Sequence, residues 1–226
     1  MIEAKGSSSN FFSRVFDTLY PRKCGLCGDW SERAICPTCE GTFERVEQPF
    51  ERFFDGGSLD YRAAIFRYEG RAAQAVRRLK YSRITPLIEF MAEEIAEAVK
   101  TLGLSQVDIF VPIPIHWTRR VRRGFNQAEL LCEELSQEQV APDTILLRTR
   151  ATRPQVGLTR EQRLINLQDA FAAKPNVAGK HVLLIDDVVT TLGTARECSK
   201  ALKHAGAAEV GILAFCGDTD RTDNWR

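Results

Sequence analysis

The stretch HVLLIDDVVTTLGTARE, residues 181–197, decides how the chain is read. HVLLI has the composition of a buried strand, so Asp186 and Asp187 emerge at its carboxyl end, where ligands bind in open α/β sheets. Thr194-Ala195-Arg196-Glu197 fits a capping box, with Thr194 as N-cap and Glu197 reaching back, which starts a helix directly after Gly193. Residues 188–193 then present backbone N–H groups and hydroxyls at a helix N-terminus, an arrangement that suits a phosphate. Two carboxylates beside a phosphate repel it unless they bind something else, and sugar hydroxyls or magnesium both want carboxylate oxygen. A ligand with a phosphate, vicinal hydroxyls and a metal answers all three demands, and a ribose phosphate is one. The plainer alternative is a surface aspartate pair that caps a turn. A Walker phosphate loop is excluded, because no Gly-x4-Gly-Lys-Ser/Thr occurs.

Working outward, strands and helices alternate. DYRAAIFRYEG (60–70) reads as a strand, and RAAQAVRRLKYS (71–82) and PLIEFMAEEIAEAVKTL (86–102) read as helices, the second opened by a proline. VDIFVPIPI (107–115) is a strand that prolines terminate, NQAELLCEELSQ (126–137) a helix and TILLRT (144–149) a strand. TREQRLINLQDAF (159–171) and 195–205 are helices, the latter closed by Gly206, and EVGILAFC (209–216) is a last strand. Alternation of this kind predicts a parallel sheet covered on both faces, a doubly wound α/β domain. Near the start, Phe12, Val15, Phe16 and Leu19 fall at helical spacing in a short amphipathic segment, expected to pack on the main domain.

The 226 residues suffice for one medium domain and a small appendage, and the formal charge of +1 excludes a uniformly basic nucleic-acid binder. No apolar run approaches the ~20 residues of a membrane helix, and no hydrophobic signal region with a cleavage site is visible. The expected location is the cytoplasm, where thiols stay reduced. Cys24, Cys27, Cys36 and Cys39 therefore need a reason other than disulfides. Two Cys-x2-Cys knuckles separated by eight residues supply a tetrahedral four-sulfur shell, the usual structural zinc site. The same ligands suit an iron–sulfur cluster, or disulfides and a redox pair if no metal binds. A closed four-sulfur shell has no open position, so its role is structural.

Basic charge is concentrated locally. Residues 116–126, HWTRRVRRGFN, hold four arginines and no acid, and 144–163 hold five (Arg148, Arg150, Arg153, Arg160 and Arg163) against the single acid Glu161. Guanidinium forks suit a pyrophosphate. They also suit single-stranded nucleic acid, where Trp117 and Phe125 can stack bases. A solvated basic surface is the ordinary alternative, and His116 alone is more often a satisfied polar residue than a catalyst.

VLLIDDVVTTLGTA resembles the thirteen-residue phosphoribosyl-pyrophosphate motif of type I phosphoribosyltransferases. The four-cysteine module, YEG (68–70), VPIPIHWTRRVRRGFNQAELL (111–131) and RPQVGLTREQRLINLQDAF (153–171) together resemble the ComF family, over roughly residues 20–216. Members of that family are competence-associated proteins with a phosphoribosyltransferase-like domain. The expected organisation is an amphipathic helix over 1–20 and a charged tail over 218–226, flanking a zinc module over 21–50 and a phosphoribosyltransferase-like domain over 51–217 that the resemblance implies. The resemblance also implies that Asp186 and Asp187 bind ribose hydroxyls, with Asp187 as the catalytic candidate, and that Val189, Thr190, Thr191, Leu192, Gly193 and Thr194 line the 5′-phosphate site. The pyrophosphate loop would follow the strand at Pro112. Arg119, Arg120, Arg122 and Arg123 would lie on a mobile flap, with Arg153 and Arg163 as further anion ligands.

One position departs: where the family reads Thr-Thr-Gly-x-Thr, this chain has Thr190-Thr191-Leu192-Gly193-Thr194. Leucine in left-handed backbone costs ~1–2 kcal/mol, so the loop is expected to bend at Gly193 instead. The implied function is binding of magnesium phosphoribosyl pyrophosphate or a related ribose phosphate, with transfer of the phosphoribosyl group as the possible reaction. The alternative is a non-catalytic single-strand-binding accessory that acts with a helicase-like partner in DNA uptake. A third reading makes the cysteine module a docking surface through Leu26, Trp30 and Ile35.

Overall fold

The structure, a computed structural model, describes residues 23–82, 86–135, 145–149 and 170–217. The amphipathic segment at 1–20, the tail, the helix expected over most of 159–171, and Arg153 and Arg163 lie outside the described residues. In chain order the elements are α1 (Pro37–Glu40), β1 (Phe50–Arg52), β2 (Tyr61–Arg67), α2 (Gly70–Ser82), α3 (Pro86–Thr101), β3 (Ile109–Pro112), α4 (Trp117–Arg123), α5 (Gln127–Leu135), β4 (Leu146–Arg148), β5 (Phe171–Ala173), β6 (His181–Val189), α6 (Gly193–His204) and β7 (Glu209–Gly217).

The central sheet runs β1-β2-β7-β6-β3. β2, β7, β6 and β3 are parallel, and β1 closes one edge antiparallel. The apolar run Val182–Ile185 is buried throughout, as a strand covered on both faces must be. On one face α2, α3 and α5 cover Leu183, Ile185, Leu213 and Phe215. Phe43, Phe66 and Phe90 ring Phe215 at centroid distances of 5.1–6.1 Å. On the other, α6 and the β4–β5 ladder cover Val182, Leu184, Val210 and Ile212. Gly211 pairs with Tyr61 across β2 and β7, and any Cβ there would run into the Tyr61 ring. Among the described residues no helix is long and apolar enough to cross a membrane.

The cysteine knuckles are fastened to this core. Leu26 and Ile35 are each 1% exposed and join the α2–α3 cluster, whereas Trp30 is 64% exposed. Arg78 Nη1 donates to the Gly25 carbonyl at 3.0 Å, and Gly25 itself lies against Leu87. Leu26 and Ile35 are thus spent on intramolecular packing rather than docking.

Four expectations change. TILLRT forms its strand outside the main sheet, in an antiparallel ladder with β5. β6 runs on through both aspartates to Val189, because β7 continues beside it and pairs Val188 with Cys216 and Val189 with Gly217. The basic stretch expected on a flap is the helix α4, capped by His116 at its start and by Gly124 at φ 86° at its end. Gly124 ends the helix by adopting the left-handed conformation that glycine alone takes at little cost.

The fourth concerns the start of α6. Leu192, not Thr194, holds the N-cap position, no side chain caps the helix, and Glu197 pairs with Lys200. Leu192 is 3% exposed and packs in the cluster beneath α6. Burying leucine contributes ~1.5–3 kcal/mol, more than the ~1 kcal/mol of a hydroxyl cap, so packing decides where the helix begins. Gly193 does not take a positive φ and Leu192 sits at φ −4°, so neither residue bends the loop through left-handed backbone. The loop tightens through Gly193 N–H, which donates to the Thr191 carbonyl.

Candidate functional site

A cleft of about 300 Å³ opens at the carboxyl ends of β3 and β6. It is lined by Asp186 to Leu192, by Thr194 and Ala195 of α6, by Ile113–Ile115, Tyr68 and Lys80, and by Arg119, Arg123, Gln127 and Arg148. Helix and strand ends converge here because parallel connections return every strand in the same direction.

Asp187 is 4% exposed and its Oδ1 lies 2.9 Å from Lys80 Nζ, in the last turn of α2. Its Oδ2 is buried with no partner among the described residues. Asp186 accepts from the Asp187 N–H through Oδ1 at 2.8 Å. Burial, then the neighbouring Asp187 charge, pushes the Asp186 carboxyl up to about 8. Burial alone would lower the Lys80 ammonium, but Asp187 and then Asp186 outweigh it and raise it. The pair therefore carries an extra proton or a cation at neutral pH.

The rest of the polar wall consists of donors. Burial, then Arg123 and Arg122, lowers Arg119; burial, then Arg119, lowers Arg148. Guanidiniums that press on one another in this way favour an anion between them. Gln127 is 2% exposed, accepts from Arg123 Nη1 at 3.4 Å, and leaves its Nε2 without a partner among the described residues. His116 Nδ1 accepts from the Thr118 N–H at 3.3 Å, and burial, then Arg148 and Arg119, keeps the ring below its ordinary pKa and so neutral.

The string RRGFNQ explains how this wall is built. Gly124 stops α4, and Asn126, 1% exposed, starts α5 by accepting from the Ala128 N–H at 3.2 Å. Asn126 Nδ2 also donates to the Ile113 carbonyl at 3.1 Å, which ties the segment after β3 to the head of α5. Gln127 then enters the cleft.

Outside the cleft, the four cysteine sulfurs all lie within 4.8 Å of one another, and Cys27 Sγ to Cys36 Sγ is 3.8 Å. A tetrahedron with metal–sulfur bonds of ~2.3 Å has edges of about 3.8 Å, so the cluster can hold one metal ion. The Leu26 and Cys36 N–H groups each donate to Cys24 Sγ at 3.4 Å, which favours the thiolate a metal needs.

The model of the phosphoribosyl transferase domain family matches residues 121–226. DNA utilization protein YhgH of Escherichia coli (strain K12) is 31% identical over 202 residues, 85% of this chain and 89% of the relative. The chain belongs to the ComF family. Competence protein F of Haemophilus influenzae is 35% identical over 52% of this chain and 54% of its own length. Competence protein ComFC of Bacillus subtilis is 28% identical over 82% and 73%. A solved allosteric regulatory enzyme of purine biosynthesis aligns over 54% of this chain and 25% of its own at 18% identity and a TM-score of 0.35, too slight a likeness to carry weight.

Of the residues that the ComF resemblance singled out, Asp186, Asp187, Val189, Thr190, Thr191, Leu192, Thr194, Arg119 and Arg123 line the one cleft. Gly193 does not line it, and Pro112 ends β3 in a buried position opposite Ile185. Arg120 pairs with Glu129 at 2.6 Å, and Arg122 is exposed outside the cleft. Lys80, Tyr68, Gln127 and Arg148 were not singled out for the site. Arg148 had a signal in the basic cluster, while Lys80 in RRLKYS reads as one more cation on a helix.

Proposed function

We propose that this ComF-family chain binds phosphoribosyl pyrophosphate with magnesium, or a related ribose phosphate, in the β3–β6 cleft. The observation that carries the reading is convergence: the aspartate pair, the threonine loop and Arg119, Arg123 and Arg148 face one cleft of about 300 Å³. Asp186 and Asp187 accept from the ribose hydroxyls. Thr190, Thr191 and Thr194 with the first turn of α6 take the 5′-phosphate. The guanidiniums take the pyrophosphate, which leaves as the ribose C1–O bond breaks if an acceptor attacks. Asp187 Oδ2, buried without a partner among the described residues, is an oxygen of the kind magnesium takes, but one such oxygen is far from a full shell. Magnesium, when bound, supplies charge neutralisation of the phosphates. The cysteine cluster holds zinc as a structural clamp on the α2–α3 face. Relatives named for DNA utilization and competence support a role in DNA uptake or use.

Calorimetry with phosphoribosyl pyrophosphate and magnesium tests the reading. Wild type binds only with magnesium present, and Asp187→Asn loses the binding; no binding by wild type would refute it. Pyrophosphate release in the presence of candidate bases then reports transfer.

A second reading, single-stranded nucleic-acid binding with a helicase-like partner, rests on the cleft's rim. Trp117 and Tyr81 are 66% and 69% exposed, and Arg123 lies over the Tyr81 ring at 5.8 Å. Stacking platforms beside cations bind single strands with strong salt dependence. An Arg122→Ala, Arg123→Ala double variant that keeps full single-strand affinity at low salt would remove this reading.

A further inference from the structure

We infer that Lys80 is the resident counter-ion of the aspartate pair, and that it keeps free divalent cations out of the ligand-free cleft. Metal then enters only with a phosphate-bearing ligand. The last clause rests on the ribose phosphate reading; the first does not.

The geometry is specific. Lys80 Nζ stands 2.9 Å from Asp187 Oδ1, and the two side chains are only 20% and 6% exposed. The ammonium thus occupies one of the oxygens that a hard cation would need, while Oδ2 is left without a partner among the described residues. Among the described residues, the charged and titratable groups that line the cleft with Lys80 are Asp186, Asp187, Tyr68, Arg119, Arg123 and Arg148. Those four cations against two carboxylates make this part of the cleft positive as it stands. A lone divalent ion that approaches the free Asp187 Oδ2 meets an ammonium already seated on the same carboxylate. Magnesium and manganese hold few protein ligands and rely on substrate phosphates for the rest.

A phosphorylated ligand changes the balance. Its oxygens meet the guanidiniums, and Lys80, a point charge on a flexible stem, can turn from Asp187 to a phosphate oxygen. The carboxylate released is then open to a metal or to ribose hydroxyls. Arginine at position 80 would keep the charge but not the compact, rotatable head. If Lys80 only fastened α2 to β6, its removal would lower stability without creating a metal site, so metal affinity separates the two roles.

The test titrates the full chain with Mn²⁺ by equilibrium dialysis, counting the manganese retained with the protein, first alone and then with inorganic pyrophosphate on both sides of the membrane. Thiolates are poor ligands for manganese, so the cysteine cluster stays silent. Wild type should take up manganese with pyrophosphate and not without it. Lys80→Met should take up manganese alone at least about tenfold more tightly than wild type, whereas Lys80→Arg should not. Saturable uptake of manganese alone by wild type, as tight as that of Lys80→Met, overturns the inference. So does a folded Lys80→Met, judged by circular dichroism, that gains nothing. Lys80→Gln, which keeps a hydrogen-bond donor to Asp187 but no charge, serves the same comparison if the methionine variant does not fold. A gain by the variant with no pyrophosphate-dependent uptake by wild type would uphold the counter-ion and overturn the ribose phosphate reading instead.

Discussion

Replacing Asp187 by asparagine removes one charge from the pair and leaves the Lys80 ammonium, 20% exposed, beside a neutral amide. At 2.9 Å and an effective dielectric of ~20, the gross attraction lost is about 6 kcal/mol. Desolvation has already consumed most of that, and removing one partner of a buried pair typically costs ~3–5 kcal/mol. Here the cost falls short of that range, because Asp186 is freed from its neighbour's charge, ionises more readily and takes over part of the neutralisation. The expected loss is ~2 kcal/mol at pH 7, measured from urea unfolding midpoints. Lys80→Met combined with Asp187→Asn should recover at least half, since both unpaired charges are then gone. A coupling energy below ~0.5 kcal/mol in that double-mutant cycle would refute the buried pair as an energetic unit.

Three further outcomes are expected. The Asp186 carboxyl is raised from 3.8 to about 8 in the folded state, so between those values the folded protein holds a proton that the unfolded chain has lost. Its contribution is therefore full below pH 3.8 and is lost as pH rises towards 8, and Asp186→Asn should flatten that slope between pH 5 and 8 in urea unfolding. Elemental analysis should find one zinc per chain, and Cys39→Ser should abolish it and lower the melting temperature, because Leu26 and Ile35 are held against α3 by the same knuckles; full thermal stability without metal would contradict this. Leu192→Gly should cost ~3 kcal/mol by opening a cavity under α6, yet shift phosphoribosyl pyrophosphate affinity less than tenfold, and a larger gain by calorimetry would show that leucine weakens the phosphate site.

Periodicity and spacing are local properties, and what depends on them was readable in the chain. The apolar run 182–185 marked a strand buried on both faces, and the alternation after it marked the parallel sheet. The Cys-x2-Cys pairs identified the cluster without knowledge of its surroundings, since each knuckle is set by two intervening residues. The paired aspartates and threonines pointed to the cleft, and both line it. The misreadings came where packing overrode a local rule. Thr194 and Glu197 satisfy a capping pattern, but Leu192 finds a core to enter, and the helix starts around it. Arg119 to Arg123, expected on a flap, form α4 instead, and the positive φ of Gly124 ends it.

Asp187 meets Lys80 only because the fold brings the last turn of α2 to the carboxyl end of β6, and no spacing rule links residues so far apart. Arg148 reaches the cleft from a ladder outside the main sheet, a position that TILLRT by itself does not specify. By itself, then, the sequence determined the parallel strands of the main sheet, the cysteine knuckles and the aspartates and threonines that meet in the cleft. Tertiary structure alone decided which cation neutralises the aspartates, which of the arginines face them and which leucine became core, because charge and burial at a site are set by neighbours that the chain brings in from elsewhere.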